Sequence, residues 1–429
     1  MSDTSNFFDE KKEWSKVKDA LLAVYLRPYA EKLFASGRPI VYVDGFAGRG
    51  YFGNKDAIQH FDVKQDHIPD NLGSPFIAMK SLEWARQDSR NASCNYEAVF
   101  IEKKYADELD EVIMASQFAQ RCKVYKGSFK DRLSEIIDSM NEKYPCGYNL
   151  FCYVDPFGIK DLDIKVLRDA ARRHGGTTEF LINFNSFGAL RAAIAMCGET
   201  ARIGREIEAI CEELGYENPY EDLLAENFSG QDNIMNRLFG SQEWQGIVKD
   251  YTSKVYDGYE AESRFSALYK DRLKKTLGFK YVLDMPIRYG ADNSHPKYRM
   301  VYATAHPDGA CIMGQNMRGR KELLSRVRSG GQLSLFDETA IEAEKRIQET
   351  KNNVMSLLES QWTGARQLEA SLYDKYGICI DSFARVLKDM DQEGLIDISR
   401  DPAETKTGRK SNFYTESKRN KLSIRKKSN

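Results

Sequence analysis

The chain has 429 residues, of which 41% are hydrophobic and 30% are charged, and its formal net charge is −1. This composition is that of an ordinary globular protein and excludes disorder over most of the chain, while the length predicts two or three domains. The polar start Met1–Asn6 is unlike a signal peptide, and the apolar run Ala20–Leu26 is far shorter than the roughly 20 residues of a membrane span. We therefore expect a cytoplasmic protein that does not associate with membranes.

An alternation of apolar helices and strands begins near the N-terminus. It predicts helices at 13–35, 74–90, 104–117, 129–142 and 162–174, and strands at 40–44, 97–101, 122–126, 148–154 and 178–184. Such alternation is typical of a parallel sheet with right-handed crossovers, so we expect a Rossmann-like α/β fold.

The rest of this domain follows a different pattern. Residues 186–277 are helical in pattern and resemble an insertion, whereas 280–288 and 297–305 predict two antiparallel strands that close the sheet edge as a hairpin. One α/β domain is therefore expected over 1–322.

The chain beyond residue 322 is predicted to form a linker and a separate domain. The Ser329–Gly331 break lies in an expected linker at 323–340. Beyond it the pattern predicts a helix at 339–359, then Thr363 capping a helix at 364–375, Asp381 capping a helix at 382–393, and strands at 395–399 and 412–415. This is the pattern of a winged helix, expected at 341–415, whose second helix enters the major groove and whose wing contacts phosphates. Winged helices also serve as protein-contact modules.

The basic charge is concentrated at the C-terminal end. Residues 401–429 contain nine Lys or Arg and three Asp or Glu, and 416–429 are expected to form a basic tail. Such a run is typical of a solvated tail and also of a nucleic-acid-binding arm. The eight cysteines and five histidines are scattered along the chain, and no metal site is predicted from them.

The first strand carries the most informative motif. It ends at Asp44 and runs directly into a glycine-spaced turn that includes Gly48 and Gly50. Glycines at this position let the backbone approach a ligand at the carboxyl end of the sheet. We expect Asp44, Phe46, Ala47, Gly48 and Gly50 to bind a cofactor.

The next two strand ends extend this expected cofactor site. Glu102 ends the second strand, where its carboxylate would accept both ribose hydroxyls of an adenosine cofactor, or would interact with the dipole of the following helix. The spacing from Gly50 to Glu102 exceeds the roughly 20 residues of a dinucleotide site, which favours S-adenosylmethionine over NAD. Ser128, after the third strand, would contact adenine or cap the following helix.

The fourth strand ends in Asp155, Pro156, Phe157 and Gly158, which face the same crevice. This arrangement suits methyl transfer to an exocyclic amine of a base. Asp155 and the Pro156 carbonyl would accept hydrogen bonds from the amine, while Phe157 would stack on a flipped or unpaired base. The alternative is a turn that buries Phe157 in the core.

Four motifs carry a resemblance to a known family, which are Asp44–Gly50, Gly73–Pro75, Asp155–Gly158 and, more weakly, Tyr302–Thr304. They resemble the class I methyltransferase superfamily and, within it, the three-Cys-motif partner (TcmP) family. The resemblance covers about three-quarters of the chain and implies a methyltransferase-like fold and a radical-SAM-like partner protein with a three-cysteine motif. The first two motifs are also similar to bacterial adenine-N6 methyltransferases, and Asp155–Gly158 to tRNA guanine-N2 dimethyltransferases. Adenine-N6 enzymes have Pro and an aromatic residue where Phe157 and Gly158 stand, so the target base stays open.

The linker contains one further motif. Gln332, Leu333, Leu335 and Phe336 resemble the short peptide with which bacterial replication and repair proteins bind the DNA sliding clamp. Gln332 would form hydrogen bonds at one end of a groove while Leu335 and Phe336 fill an apolar pocket. The alternative is that these apolar side chains pack against the α/β domain.

Together these features predict a bacterial S-adenosylmethionine-dependent protein that methylates nucleic acid, DNA rather than RNA, in repair or defence. Two alternatives remain at this stage. The first is a nuclease or DNA-processing partner that holds a divalent metal with Asp44, Glu102 and Asp155. The second is a non-catalytic adaptor that recruits the radical-SAM-like partner to DNA.

Overall fold

A computed structural model describes residues 11, 13–53, 61–65, 69–91, 93–173, 175–214, 234–288, 295–328, 340–377, 382–417 and 419–427. The predicted clamp peptide Gln332–Phe336 and the predicted cap Asp381 lie outside these ranges. None of the helices within them is long and apolar enough to cross a bilayer. The described chain forms two compact units, the first made of Met1–Lys280 and Pro286–Ala305, the second of Tyr281–Met285 and His306–Asn429.

The elements of the first half of the chain alternate as the sequence predicts. In chain order they are α1 (Glu13–Phe34), β1 (Ile40–Asp44), α2 (Ser74–Asp88), β2 (Tyr96–Glu102), α3 (Ala106–Met114), β3 (Cys122–Lys126), α4 (Phe129–Lys143), β4 (Asn149–Val154), α5 (Ile164–Ala171) and β5 (Thr178–Phe184). Helix α5 is shorter than predicted because Gly175 and Gly176 follow it with φ of 75° and 99°. A Cβ on Gly176 would lie 1.9 Å from the Tyr148 carbonyl oxygen, so only glycine fits this turn.

The remaining elements of the first unit are mostly helical. They are α6 (Ser186–Met196), α7 (Thr200–Glu213), α8 (Ile234–Phe239), α9 (Trp244–Thr252) and α10 (Gly258–Leu277), followed by the strands β6 (Tyr281–Arg288) and β7 (Pro296–Thr304). The predicted helical character of 186–277 is thus confirmed wherever the structure describes it. Phe184 at the end of β5 stacks on Tyr269 of α10 with ring centroids 4.4 Å apart. The helical segment is therefore packed directly on the sheet.

The larger sheet has seven strands in the order β3-β2-β1-β4-β5-β7-β6. Strands β1 to β5 pair in parallel, and β7 runs antiparallel to β5. Strands β1 and β4 are buried along their whole length, which explains their continuous apolar sequences. The predicted α/β architecture with a mostly parallel sheet is confirmed, and this sheet is compatible with a Rossmann-like fold.

The second unit combines helices with a small sheet. Its elements are α11 (Pro307–Arg328), α12 (Ala340–Leu357), β8 (Thr363–Gly364), α13 (Ala365–Tyr376), α14 (Phe383–Gln392), β9 (Ile396–Asp401) and β10 (Lys421–Lys426). Strand β10 lies between β8 and β9 and is antiparallel to both.

Two predictions for the second unit were wrong. The strand that pairs with β9 is β10, not 412–415, and the predicted tail at 416–429 therefore contributes a strand to the sheet. Leu422 and Ile424 are fully buried, and this alternation of apolar residues explains why the segment forms a strand despite its charge. Thr363 belongs to β8, and Gly364 is the N-cap of α13.

The first unit ends at Ala305, whereas the sequence predicts a domain over 1–322. Helix α11 packs on α13, where a Cβ on Gly314 would lie 2.6 Å from the Tyr373 ring. The Asp374 carboxylate accepts a hydrogen bond from the Val282 N–H at 2.8 Å, which ties the start of β6 to the same helix. These contacts explain why both segments belong to the second unit.

Candidate active site

A cavity of about 740 Å³ opens at the carboxyl ends of the parallel strands, entirely within the first unit. Nine of the predicted site residues line it, which are Phe46, Ala47, Gly48, Gly50, Glu102, Ser128, Asp155, Pro156 and Phe157. Asp44 and Gly158 are absent from its walls, and Asp44 is fully buried beneath it. The structure therefore brings the motifs of strands β1, β2, β3 and β4 to one cavity.

The glycine loop after β1 is fixed by its own backbone. Gly45 N–H donates to the Tyr153 carbonyl at 2.9 Å, and Ala47 N–H donates to the Ile101 carbonyl at 3.1 Å. Gly48 and Gly50 have φ of 61° and 81°, the left-handed region that glycine enters without strain. The loop thus crosses the ends of β4 and β2 with its backbone close to the cavity.

Helix α2 begins against this loop. Gly73 N–H donates to the Gly50 carbonyl at 2.8 Å, and a Cβ on Gly73 would lie 2.8 Å from the same backbone. The sequence Ser74–Pro75 predicts Ser74 as the N-cap of α2. In the structure the N-cap is Gly73. The Ser74 hydroxyl donates instead to the Asp44 carboxylate at 2.7 Å. Gly73 and Ser74 therefore join the start of α2 to the end of β1.

Asp44 is the buried polar group at the centre of this loop. Its carboxylate also accepts a hydrogen bond from Phe46 N–H at 3.1 Å. Burial raises the pKa of Asp44 to about 7, and the nearby Asp155 and Asp19 carboxylates add to the rise, whereas the hydrogen bonds from Ser74 and Phe46 oppose it. Asp44 thus holds the loop from below and does not itself reach the cavity.

Glu102 fastens the outer side of the loop. One carboxylate oxygen accepts from Gly48 N–H at 2.8 Å, and the other accepts from Lys104 N–H at 2.7 Å and Tyr105 N–H at 3.1 Å. An ionised carboxylate has about four acceptor positions, so these three bonds leave capacity for a hydroxyl. Glu102 therefore connects two loops while it lines the cavity.

Ser128 has a structural role as well as a place in the cavity wall. Its hydroxyl accepts from Asp131 N–H at 3.3 Å, which makes Ser128 the N-cap of α4, and it donates to the Asp131 carboxylate at 2.6 Å. The hydroxyl proton is therefore already used within the first turn of α4. Of the two interpretations of Ser128, the structure shows the helix cap.

Asp155 is held from two sides. Lys18 Nζ on α1 lies 2.6 Å from one carboxylate oxygen, and Asn183 Nδ2 at the end of β5 donates to the other oxygen at 2.7 Å. The Tyr153 hydroxyl lies 3.4 Å from the oxygen that Lys18 contacts. The carboxylate is therefore oriented by residues of α1, β4 and β5.

The two residues that follow Asp155 differ sharply in exposure. Pro156 is buried, whereas 85% of the Phe157 surface is exposed. The exposed ring of Phe157 therefore presents a flat aromatic surface at the rim of the cavity. The alternative that Phe157 packs in the core is wrong.

Several cavity residues were not found from the sequence. Lys18, Asp19, Asn183 and Tyr298 line it but belong to none of the sequence motifs. A charged pair on the apolar face of a helix could have indicated the first two, because Lys18 and Asp19 are buried together with the following leucines. Asp19 is paired with Lys11 at 2.6 Å, and burial raises the pKa of Asp19.

The described residues contain no group of three or more His, Cys, Asp or Glu side chains arranged to hold a metal ion. The carboxylates of Asp44, Glu102 and Asp155 each have the separate partners given above. Comparison with models of protein families and with curated proteins finds no match for this chain. The resemblance to the three-Cys-motif partner family therefore stays a prediction.

Proposed function

We propose that this chain is a cytoplasmic, S-adenosylmethionine-dependent methyltransferase that acts on the exocyclic amine of a nucleobase. The observation that carries the proposal is the single cavity that joins the glycine loop and Glu102 to the Asp155–Phe157 segment. We call the part lined by the glycine loop and Glu102 the cofactor half, and the part lined by Asp155–Phe157 the substrate half. The two halves lie next to each other, as transfer of a group between two bound molecules requires.

The cofactor half fits an adenosine-containing methyl donor. The volume of about 740 Å³ is within the range of cofactor sites, and Glu102 retains acceptor capacity for ribose hydroxyls. The antiparallel strand β7 beside the parallel strands β1 to β5 is also compatible with the methyltransferase-like fold that the sequence resembles. Gly48 and Gly50 would lie against the cofactor, with Asp44 supporting them from below.

The substrate half supports the chemistry of amine methylation. S-adenosylmethionine, when bound, supplies an electrophilic methyl group. Asp155 would accept a hydrogen bond from the target amine and, after the nitrogen–carbon bond forms, receive the proton that the nitrogen loses. The Pro156 carbonyl would accept the second amine proton. Phe157 would stack on the base, which explains why its ring is exposed at the rim.

The second unit supports nucleic acid as the substrate. Its order of helix, strand, two helices and two strands matches a winged helix. Residues 402–410, between β9 and β10, are all exposed and include Lys406, Arg409 and Lys410. Arg385 and Lys388 are exposed on α14, the helix that would enter the major groove. DNA is the favoured nucleic acid, and a sliding clamp and a radical-SAM-like three-Cys-motif protein are proposed partners from the sequence motifs alone.

The first experiment is a calorimetric titration of S-adenosylmethionine into the full chain. We expect binding in the micromolar range that is lost in Glu102→Ala and retained in Glu142→Ala, an exposed acid on α4. Unmodified DNA and RNA with labelled cofactor then identify the methylated base. An absence of binding to the wild type, with heat from Mn²⁺ instead, would refute the proposal and favour the nuclease interpretation.

A further inference from the structure

We propose that Lys18 and Asp155 together recognise the amidine edge of the target base, in which an exocyclic amine stands beside a ring-nitrogen acceptor. Asp155 would accept from the amine, and Lys18 would donate to the ring nitrogen. This inference rests on the proposed function and extends it, because it assigns a substrate contact to a lysine of α1 that no motif indicated.

The geometry of the pair carries the inference. Lys18 Nζ and Asp155 Oδ2 are 2.6 Å apart, and both residues line the cavity. An ammonium group has three N–H donors, and among the described residues Asp155 is the hydrogen-bond acceptor that the structure gives to Lys18. The pair therefore presents a hydrogen-bond donor, Lys18, beside an acceptor, Asp155. It is complementary to a base edge on which a ring-nitrogen acceptor stands beside an amine donor.

The surroundings keep this pair in one orientation. Asn183 donates to the second Asp155 oxygen at 2.7 Å, so the carboxylate cannot turn freely. The Lys18 ammonium lies 5.8 Å from the centre of the Tyr298 ring, which favours its position over the aromatic face. The Lys18 side chain is only 9% exposed, so its contacts are made in a largely desolvated environment.

The balance of charges around Asp19 and Asp155 also supports this role for Lys18. Asp19 and Asp155 are accompanied by Lys11 and Lys18, with Lys11 paired to Asp19 and Lys18 paired to Asp155. A buried lysine is costly unless it is paired, and an apolar residue would fill the same helical position without that cost. The pair with Asp155 offsets this cost for Lys18 and keeps a cationic donor at the substrate half of the cavity.

The three amino nucleosides share the predicted edge. It is formed by the amine and N1 in adenine, the amine and N3 in cytosine, and the amine and N3 in guanine. Analogues in which this ring nitrogen is replaced by C–H keep the amine and the stacking surface and lose only the acceptor. They separate the contribution of Lys18 from those of Asp155 and Phe157.

The experiment measures binding of each amino nucleoside and of its deaza analogue to the full chain by calorimetry. Saturating S-adenosylhomocysteine is present, so that adenosine cannot enter the cofactor half. For the nucleoside that the wild type binds, we expect the analogue to bind about 10- to 100-fold more weakly, as for loss of a hydrogen bond to a charged group. 7-Deazaadenosine, which keeps N1, serves as the control for adenosine.

Lys18→Met is expected to remove this discrimination, so that nucleoside and analogue bind equally. Lys18→Arg keeps a cationic donor and should preserve part of the difference in affinity between nucleoside and analogue. This result would show that misfolding does not explain the loss of discrimination in Lys18→Met. Equal discrimination by wild type and Lys18→Met would overturn the inference while leaving the methyltransferase proposal in place. A wild-type protein that binds no S-adenosylhomocysteine would refute the proposed function itself, and the inference with it.

Discussion

Replacement of Asp44 by asparagine should make the stability of the protein less dependent on pH. Burial raises the pKa of Asp44 from 3.8 to about 7. Between these values the folded protein holds a proton that the unfolded chain has released, so the free energy of unfolding falls as pH rises. A shift of about three units corresponds to about 4 kcal/mol, because each unit is worth roughly 1.4 kcal/mol.

The asparagine variant carries no proton to lose at this position. Its free energy of unfolding relative to the wild type should therefore increase by up to about 4 kcal/mol between pH 4 and pH 8. Its side-chain oxygen can still accept the hydrogen bond from Phe46 N–H or from Ser74. The sign is unusual for an aspartate, since most carboxylates in folded proteins stabilise the fold as pH rises.

The assay is urea unfolding of both proteins at several pH values across this range, without ligand. Asp110→Asn, at an exposed position on α3, serves as the control and should follow the wild type at every pH. A difference between Asp44→Asn and the wild type that stays constant with pH would show that Asp44 ionises normally. The account of the buried carboxylate beneath the loop would then be wrong.

Three further outcomes are expected. Gly73→Ala should destabilise the first unit by more than about 2 kcal/mol, because its Cβ would lie 2.8 Å from the backbone of the glycine loop. The control Gly37→Ala, whose Cβ would have no atom within 4 Å, should cost only the roughly 1–2 kcal/mol of left-handed backbone strain. Thermal unfolding of both variants measures the difference. Phe157→Ala should leave the free energy of unfolding within about 0.5 kcal/mol of the wild type, since the ring is 85% exposed, but it should weaken binding of the base. A large loss of stability would refute the placement of this ring at the cavity rim. Leu422→Ala should cost about 2–5 kcal/mol because the side chain is fully buried, while Leu395→Ala, at 38% exposure, costs much less; similar effects of the two in urea unfolding would contradict the placement of β10.

The sequence by itself determined the order of elements in the first unit. The apolar strands β1 to β5 and the helices between them follow from local periodicity, and their boundaries agree within a few residues. It also determined which strand ends lie at the cavity, because parallel strands place their carboxyl ends at one edge of the sheet. Each of the motifs around Asp44, Glu102 and Asp155 is a short continuous segment at such an end.

Only the tertiary structure decided which groups meet those motifs. Lys18 lies 137 residues from Asp155 in the chain, and Asn183 lies 28 residues from it. A contact at such separation depends on how α1 packs on the sheet and on the pairing of β5 with β4, which no local pattern encodes. The same holds for β10, whose pairing with β9 depends on partners across an exposed loop and not on the charge of its own residues.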